Sequence, residues 1–272
     1  MNQNPVQYID LKIGPLDIPR LFDEFIKLAG QETIESRKLS KKHKYYPAIN
    51  YYLEHKNDDW IHLDIPGWVM SVVNQMGIFF HLKKVMLAGS RGKPVRALLK
   101  PDLIDTFCQE AMIVSHYLRR FYTVSWNSIH GQDPPDLIVA DPKKNIFIDF
   151  EVKVKIGKGT IETMFDSLSK GLQSLKRRKS NATNKMAVVV IHNSDDLNWE
   201  SWLTDPDVMK RFQSRLSTDD YKIISGVVFS GGENVRNKLD GAREYGTKYA
   251  AFRSDAATYP LPYGFLTSTS DI

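Results

Sequence analysis

Cysteine is almost absent from this 272-residue chain: Cys108 stands alone. A single thiol cannot close an intramolecular disulfide and excludes a zinc site built on paired cysteines, which fits a reducing compartment. A long uninterrupted apolar run is also missing. The most apolar stretch, residues 65–80, is broken by Pro66, Ser71, Asn74, Gln75 and Gly77. A membrane-crossing helix takes about 20 mostly apolar residues, so this stretch reads as a buried helix. No basic segment followed by an apolar one opens the sequence, and no secretory leader is expected. The expectation is a soluble, cytoplasmic protein with no membrane partner. Disorder is excluded as well, because 42% of residues are hydrophobic and 25% charged, and the length supports one large domain or two modest ones. The histidines, His43, His55, His62, His81, His116, His130 and His192, show no metal-ligand spacing.

Charge is present in excess of one sign, +5 overall with a sequence pI near 9.0. It is unevenly spread: residues 1–100 carry +5, 101–155 carry −2, 156–190 carry +5 and 191–272 carry −3. Basic flanks around an acidic centre suit a polyanion held beside a carboxylate cluster, although a solvated lysine-rich surface has the same composition.

The first hundred residues read as mostly helical. Leu21, Phe22, Phe25, Ile26 and Leu28 recur at helical spacing after Asp17 and Pro19, with Gly30 as the stop. The basic stretch 37–44 runs into Tyr45, Tyr46, Tyr51 and Tyr52, a pattern that either stacks on bases or packs at a helix surface. The loop at 88–94 is too short and wrongly spaced for a Walker phosphate loop. From residue 100 the texture changes. The spacing predicts a helix over 101–121, strands around 122–126 and 136–140, a turn at 141–145, a strand over 145–156 and a helix over 160–178. Continuous apolar residues then predict a strand over 186–192, and another is expected at 222–230. Residues 231–272 read as loop-rich.

The strand at 145–156 is the most informative segment. Side chains alternate faces along a strand, so Ile146, Ile148, Phe150, Val152 and Val154 share an apolar face. Phe147, Asp149, Glu151, Lys153 and Lys155 share the other. If the 141–145 turn closes an antiparallel hairpin, Asp136 comes level with Glu151. Two carboxylates beside a lysine would bind a hard divalent cation such as Mg²⁺. The alternative is a surface ion pair between Glu151 and Lys153, worth little.

Pro135-Asp136, fourteen residues, then Glu151-Val152-Lys153 resembles the signature of the PD-(D/E)XK nuclease superfamily, and residues 100–195 repeat its helix–strand–strand–strand–helix–strand order. The resemblance implies an α/β fold (mixed α+β) with a restriction-endonuclease-like core, a central mixed β-sheet flanked by helices. On this reading residues 1–99 are a mostly helical, basic region suited to DNA recognition. Residues 100–272 are then the nuclease-like domain, with its core at 100–195 and a C-terminal extension. The implied activity is that of a Mg²⁺-dependent endodeoxyribonuclease, with Mn²⁺ as a substitute, leaving a 5′-phosphate and a 3′-hydroxyl. A restriction endonuclease is the leading role, beside repair, transposition or defence nucleases and a non-catalytic nucleic-acid-binding module. Asp136, Glu151 and the Val152 carbonyl would hold the metal, and Lys153 would orient or deprotonate the attacking water. Glu110, inside the apolar stripe of Phe107 and Val114, matches the glutamate that many members carry on the first core helix; a rim glutamate reaching solvent is the alternative. Helical phase places Asp105, His116, Arg119 and Arg120 on that helix's opposite side. Lys170, Lys176, Arg177, Arg178 and Lys179 are expected to contact phosphates, although cations also favour helix C-termini in any protein. DNA is the expected partner. A homodimer and a cognate methyltransferase encoded nearby are compatible with that role.

Overall fold

The computed structural model describes residues 6–13, 16–29, 45–86, 106, 109–110, 113–114, 116–117, 120, 122–126, 136–155, 160–177, 186–193, 204–236, 241–262 and 264–266. The basic stretch 37–44, the loop 88–94, Cys108, Arg119, His130, Pro135, Arg178 and Lys179 lie outside them. The architecture is mixed α/β. Seven strands, β1 (Val6–Ile13), β2 (Thr123–Trp126), β3 (Leu137–Asp141), β4 (Ile146–Lys155), β5 (Met186–Asn193), β6 (Gly226–Arg236) and β7 (Arg243–Arg253), form one sheet in the order β1-β7-β6-β5-β4-β3-β2. The sheet is mixed: β2, β3 and β4 pair antiparallel, whereas β4, β5 and β6 pair parallel. Five helices have described bounds, α1 (Ile18–Ala29), α2 (Tyr45–Glu54), α3 (Gly67–Met86), α4 (Ile161–Arg177) and α5 (Pro206–Leu216). The described residues between 106 and 117 are also helical. The chain divides into two compact units, one of Met1–Leu11, Ile113–Glu233 and Thr247–Ile272, the other of Lys12–Met112 and Asn234–Gly246.

In the first unit the β3–β4 hairpin follows from its own sequence. A single 3-10 turn, Pro142–Lys144, and Asn145 at φ 53° reverse the chain, and asparagine is among the few residues that tolerate the left-handed region. Reciprocal bonds start α4: the Thr163 N–H donates to Thr160 Oγ1 (3.2 Å) and the Thr160 N–H to Thr163 Oγ1 (2.8 Å), satisfying donors that a helix start leaves open. Its apolar stripe, Met164, Phe165, Leu168 and Leu172, packs with Val189 and Ile191 of β5, Val227 and Phe229 of β6, and Val208, Phe212 and Leu216 of α5. Gly171 permits this approach, since a Cβ there would stand 2.7 Å from Val189 Cγ1. The other sheet face is covered differently. Tyr117 stacks on Phe265 (5.0 Å) and lies 5.2 Å from Phe150.

Two segments depart from the sequence reading. Val6–Ile13, in the region expected to be helical, is an end strand of the sheet, and Arg243–Arg253, in the region expected to be loop-rich, is the strand β7. His116, placed by helical phase on the polar side, is buried. The Arg120 guanidinium lies 3.3 Å from His116 Nε2 and donates to the carbonyls of Phe265 (2.8 Å) and Gly264 (3.0 Å).

The second unit packs α1, α2 and α3 around an aromatic core. Phe22 stacks on Tyr52 at 4.8 Å, and Phe25 meets Tyr45 edge-on at 5.2 Å. The interrupted apolar stretch is indeed a buried helix, with Val69, Val72, Val73 and Met76 inside. Among the described residues no helix is long and apolar enough to cross a membrane.

Candidate functional site

The hairpin register brings the predicted carboxylates to one level. Leu137 pairs with Phe150, so Asp136, the residue before β3, stands next in line beside Glu151. The Val152 N–H donates to Asp136 Oδ2 at 2.7 Å. This N–H points toward β3 where the strand has not yet begun, and the carboxylate takes the place of a ladder partner. In a strand the N–H and C=O of one residue point to the same side, so the Val152 carbonyl faces the Asp136 side too.

Pairing with β5 decides which face carries the charges. Glu151 is opposite Val189 and Lys153 opposite Ile191 in the parallel ladder, and both partners belong to the core under α4. Glu151 and Lys153 therefore project toward the α4 side of the sheet. Phe150 and Val152 project toward the Tyr117 and Phe265 side.

Lys153 Nζ donates to Glu151 Oε1. This is not the surface pair weighed above, because the Glu151 side chain is only 3% exposed and that of Lys153 25%. A carboxylate so deeply withdrawn from water carries a desolvation cost that a neighbouring ammonium offsets. Asp149 shares this face two residues nearer the turn and is half-buried, opposite Ile138.

Among the described residues no cluster of three or more His, Cys, Asp or Glu side chains is poised to hold a metal. The potential donors are the two carboxylates of Asp136 and Glu151 and the Val152 carbonyl, all oxygen. Mg²⁺ binds through one or two carboxylates while keeping several waters, so this set fits a hard divalent cation and does not suit a soft one. Glu110 is helical and buried, as its place in the apolar stripe predicts, and it belongs to the second unit.

The expected phosphate-contacting cations divide. Lys170 Nζ pairs with Asp166 at 2.7 Å and Lys176 Nζ with Asp220 at 2.5 Å, whereas Arg177 is exposed at the end of α4. Tyr45 and Tyr52 are core residues, not a stacking platform. The Tyr45 hydroxyl donates to Gln75 Oε1 (2.9 Å) and the Tyr52 hydroxyl to Asp23 Oδ1 (2.7 Å). Burial and the Asp23 carboxylate together push the Tyr52 phenol well above the usual tyrosine range. A cation group that the sequence reading passed over, Lys210, Arg211 and Arg215, lines a cavity beside α5. Its only sequence signal is the repeat of basic residues at helical spacing. Compared with known proteins, the chain matches no family model, no curated protein and no solved structure.

Proposed function

We propose that this chain is a Mg²⁺-dependent endonuclease that hydrolyses DNA phosphodiester bonds, with restriction as the role the sequence resemblance favours. The observation that carries the reading is Asp136, just ahead of β3, level with Glu151 of β4, with Lys153 bonded to the buried Glu151. The order of helical segment, β2, β3, β4, α4 and β5 supports it.

Asp136, Glu151 and the Val152 carbonyl would hold the cation. When bound, the metal supplies Lewis-acid stabilisation of the phosphoryl oxygens and a more acidic water. The chain's own contribution is positioning. β4 carries Glu151, and the Val152 N–H ties Asp136 beside it at the end of the β3–β4 ladder, while Lys153 Nζ supplies a positive charge beside Glu151. A shift of Nζ away from Glu151 would free it to orient water, and free the carboxylate for the cation.

Purified protein incubated with supercoiled plasmid is expected to nick or linearise it with Mg²⁺ or Mn²⁺ and to leave it intact with EDTA. A second reading, a non-catalytic nucleic-acid-binding module, has its own support. Asp136 already accepts from the Val152 N–H and Glu151 from Lys153, contacts that suffice as structural roles. DNA binding without cleavage under either metal would select it.

A further inference from the structure

Away from the carboxylates, the first unit carries an open cavity of about 510 Å³ beside α5. Its chemistry is one-sided. Lys210, Arg211 and Arg215 contribute three cations, Ser214 a hydroxyl, and Phe165 and Tyr221 an aromatic floor; no described carboxylate lines it. Arg211 and Arg215, four residues apart, are neighbours on one helix face, and Lys210 adjoins them in lining the same cavity, while Val208, Phe212 and Leu216 anchor the helix in the core. Asp205 fixes the start of the helix by accepting from the N–H groups of Asp207 (2.9 Å) and Val208 (3.3 Å).

The two arginines are held in place. The Arg211 and Arg215 guanidinium carbons lie 5.2 and 5.0 Å from the centre of the Phe165 ring, and Arg215 lies 5.8 Å from that of Tyr221. A ring face orients a guanidinium without accepting its forked N–H groups in plane, and these are the groups that match phosphate oxygens. Glu162 approaches Arg211 only to 3.7 Å, between side chains 73% and 56% exposed, so water screens that pair. On α4, by contrast, Lys170 and Lys176 have close carboxylate partners. Phe165 and Phe212 also belong to the core on the sheet face that Glu151 and Lys153 occupy.

We infer that this groove binds the phosphodiester backbone of duplex DNA, with Lys210, Arg211 and Arg215 as the phosphate contacts. The inference rests on the reading of the chain as a DNA-cleaving enzyme and names where that enzyme grips the duplex outside the carboxylate site.

The test is fluorescence anisotropy of a labelled duplex in EDTA over a series of KCl concentrations, so that no cleavage takes part. For the Lys210→Gln/Arg211→Gln/Arg215→Gln variant, affinity near 0.1 M salt is expected to fall roughly tenfold or more, and the log–log salt slope by about 0.9 for each cation lost. Lys210 makes neither ring contact, so Lys210→Gln alone keeps the packing and should lower the slope by about 0.9. Wild-type slopes in both variants overturn the inference. Inorganic phosphate that displaces the duplex beyond the effect of matched ionic strength would also overturn it, assigning the groove to a small phosphate ligand. Plasmid cleavage is scored separately. Cleavage with an unaltered slope removes the groove and keeps the nuclease, and groove-dependent binding without cleavage does the reverse.

Discussion

The sheet unit and the helical unit both bury polar side chains, and they do so in opposite ways. In the helical unit Tyr45 and Tyr52 bury rings and send hydroxyls to Gln75 and to Asp23. The hydroxyl is a small polar tip on a large apolar body, and one hydrogen bond settles it. In the sheet unit Glu151 is buried with its carboxylate set against Lys153, beside a β5 stretch, Val189, Val190 and Ile191, that is wholly aliphatic. A buried ion pair is a poor means of stabilising a fold, since apolar residues of like size often do better. Packing thus accounts for the buried tyrosines, whereas the Glu151–Lys153 pair is the feature that the proposed metal site would account for.

The sharpest break between the two regions should come from the carboxylates. Glu151→Gln and Asp136→Asn are expected to abolish metal-dependent plasmid cleavage. Asp136→Asn retains an oxygen to accept from the Val152 N–H, so its melting temperature should stay near wild type. Asp136→Ala should lose about 1 kcal/mol in denaturant titration. Wild-type cleavage by Glu151→Gln would return the site to a structural role.

Lys153→Ala comes next. Single-turnover cleavage is expected to drop by orders of magnitude while anisotropy shows duplex binding retained, the pattern of an interaction made in the transition state. Loss of the bond to Glu151 should also cost about 2 kcal/mol. Cleavage within about threefold of wild type would contradict a role for the ammonium.

A smaller effect, on stability only, is expected in the helical unit. Tyr52→Phe removes the bond to Asp23 and should cost about 1 kcal/mol without changing cleavage. The pH dependence has a definite sign. Because folding raises the Tyr52 pKa, its contribution is complete below the unfolded value of about 10 and is lost as pH rises beyond it. Denaturant midpoints from pH 8 to 11 should fall more steeply for wild type than for Tyr52→Phe.

The smallest effect is expected at the exposed pair of Lys176 and Asp220, with side chains 45% and 75% exposed. Lys176→Gln should change stability by no more than about 0.5 kcal/mol. A larger loss would mean that exposed and buried pairs in this unit are not energetically distinct.

The hairpin that carries the candidate site was legible because its signals are local. Alternation over 146–155, the Asp-Pro-Lys-Lys-Asn turn and the spacing from Asp136 to Glu151 all lie within twenty residues. The stripe of α4 was legible for the same reason. β1 and β7 were not. They are neighbours in the sheet yet lie more than 200 residues apart in sequence, and β7 buries Tyr249, Ala250, Ala251 and Phe252 in succession, which hides the two-residue period. His116 illustrates a further limit: helical phase set it among polar residues, but packing around Tyr117 and Phe150 covers that side as well. The α5 groove was invisible to motif reading, since it exists only where Arg211 and Arg215 meet Phe165 of another helix.

The amino-acid sequence by itself determined that Asp136 and Glu151 stand level and that Glu151 and Lys153 share a strand face, because turn chemistry and the two-residue period act over a few bonds. It also determined the apolar stripe that seats α4. Only the tertiary structure decided that the Glu151 face is the one covered by α4, that Lys153 is its close companion there, and that α5 lays its cations over Phe165. Those outcomes depend on which distant segment covers each face, and burial, which gives charges their strength, is a property of that covering and not of the local chain.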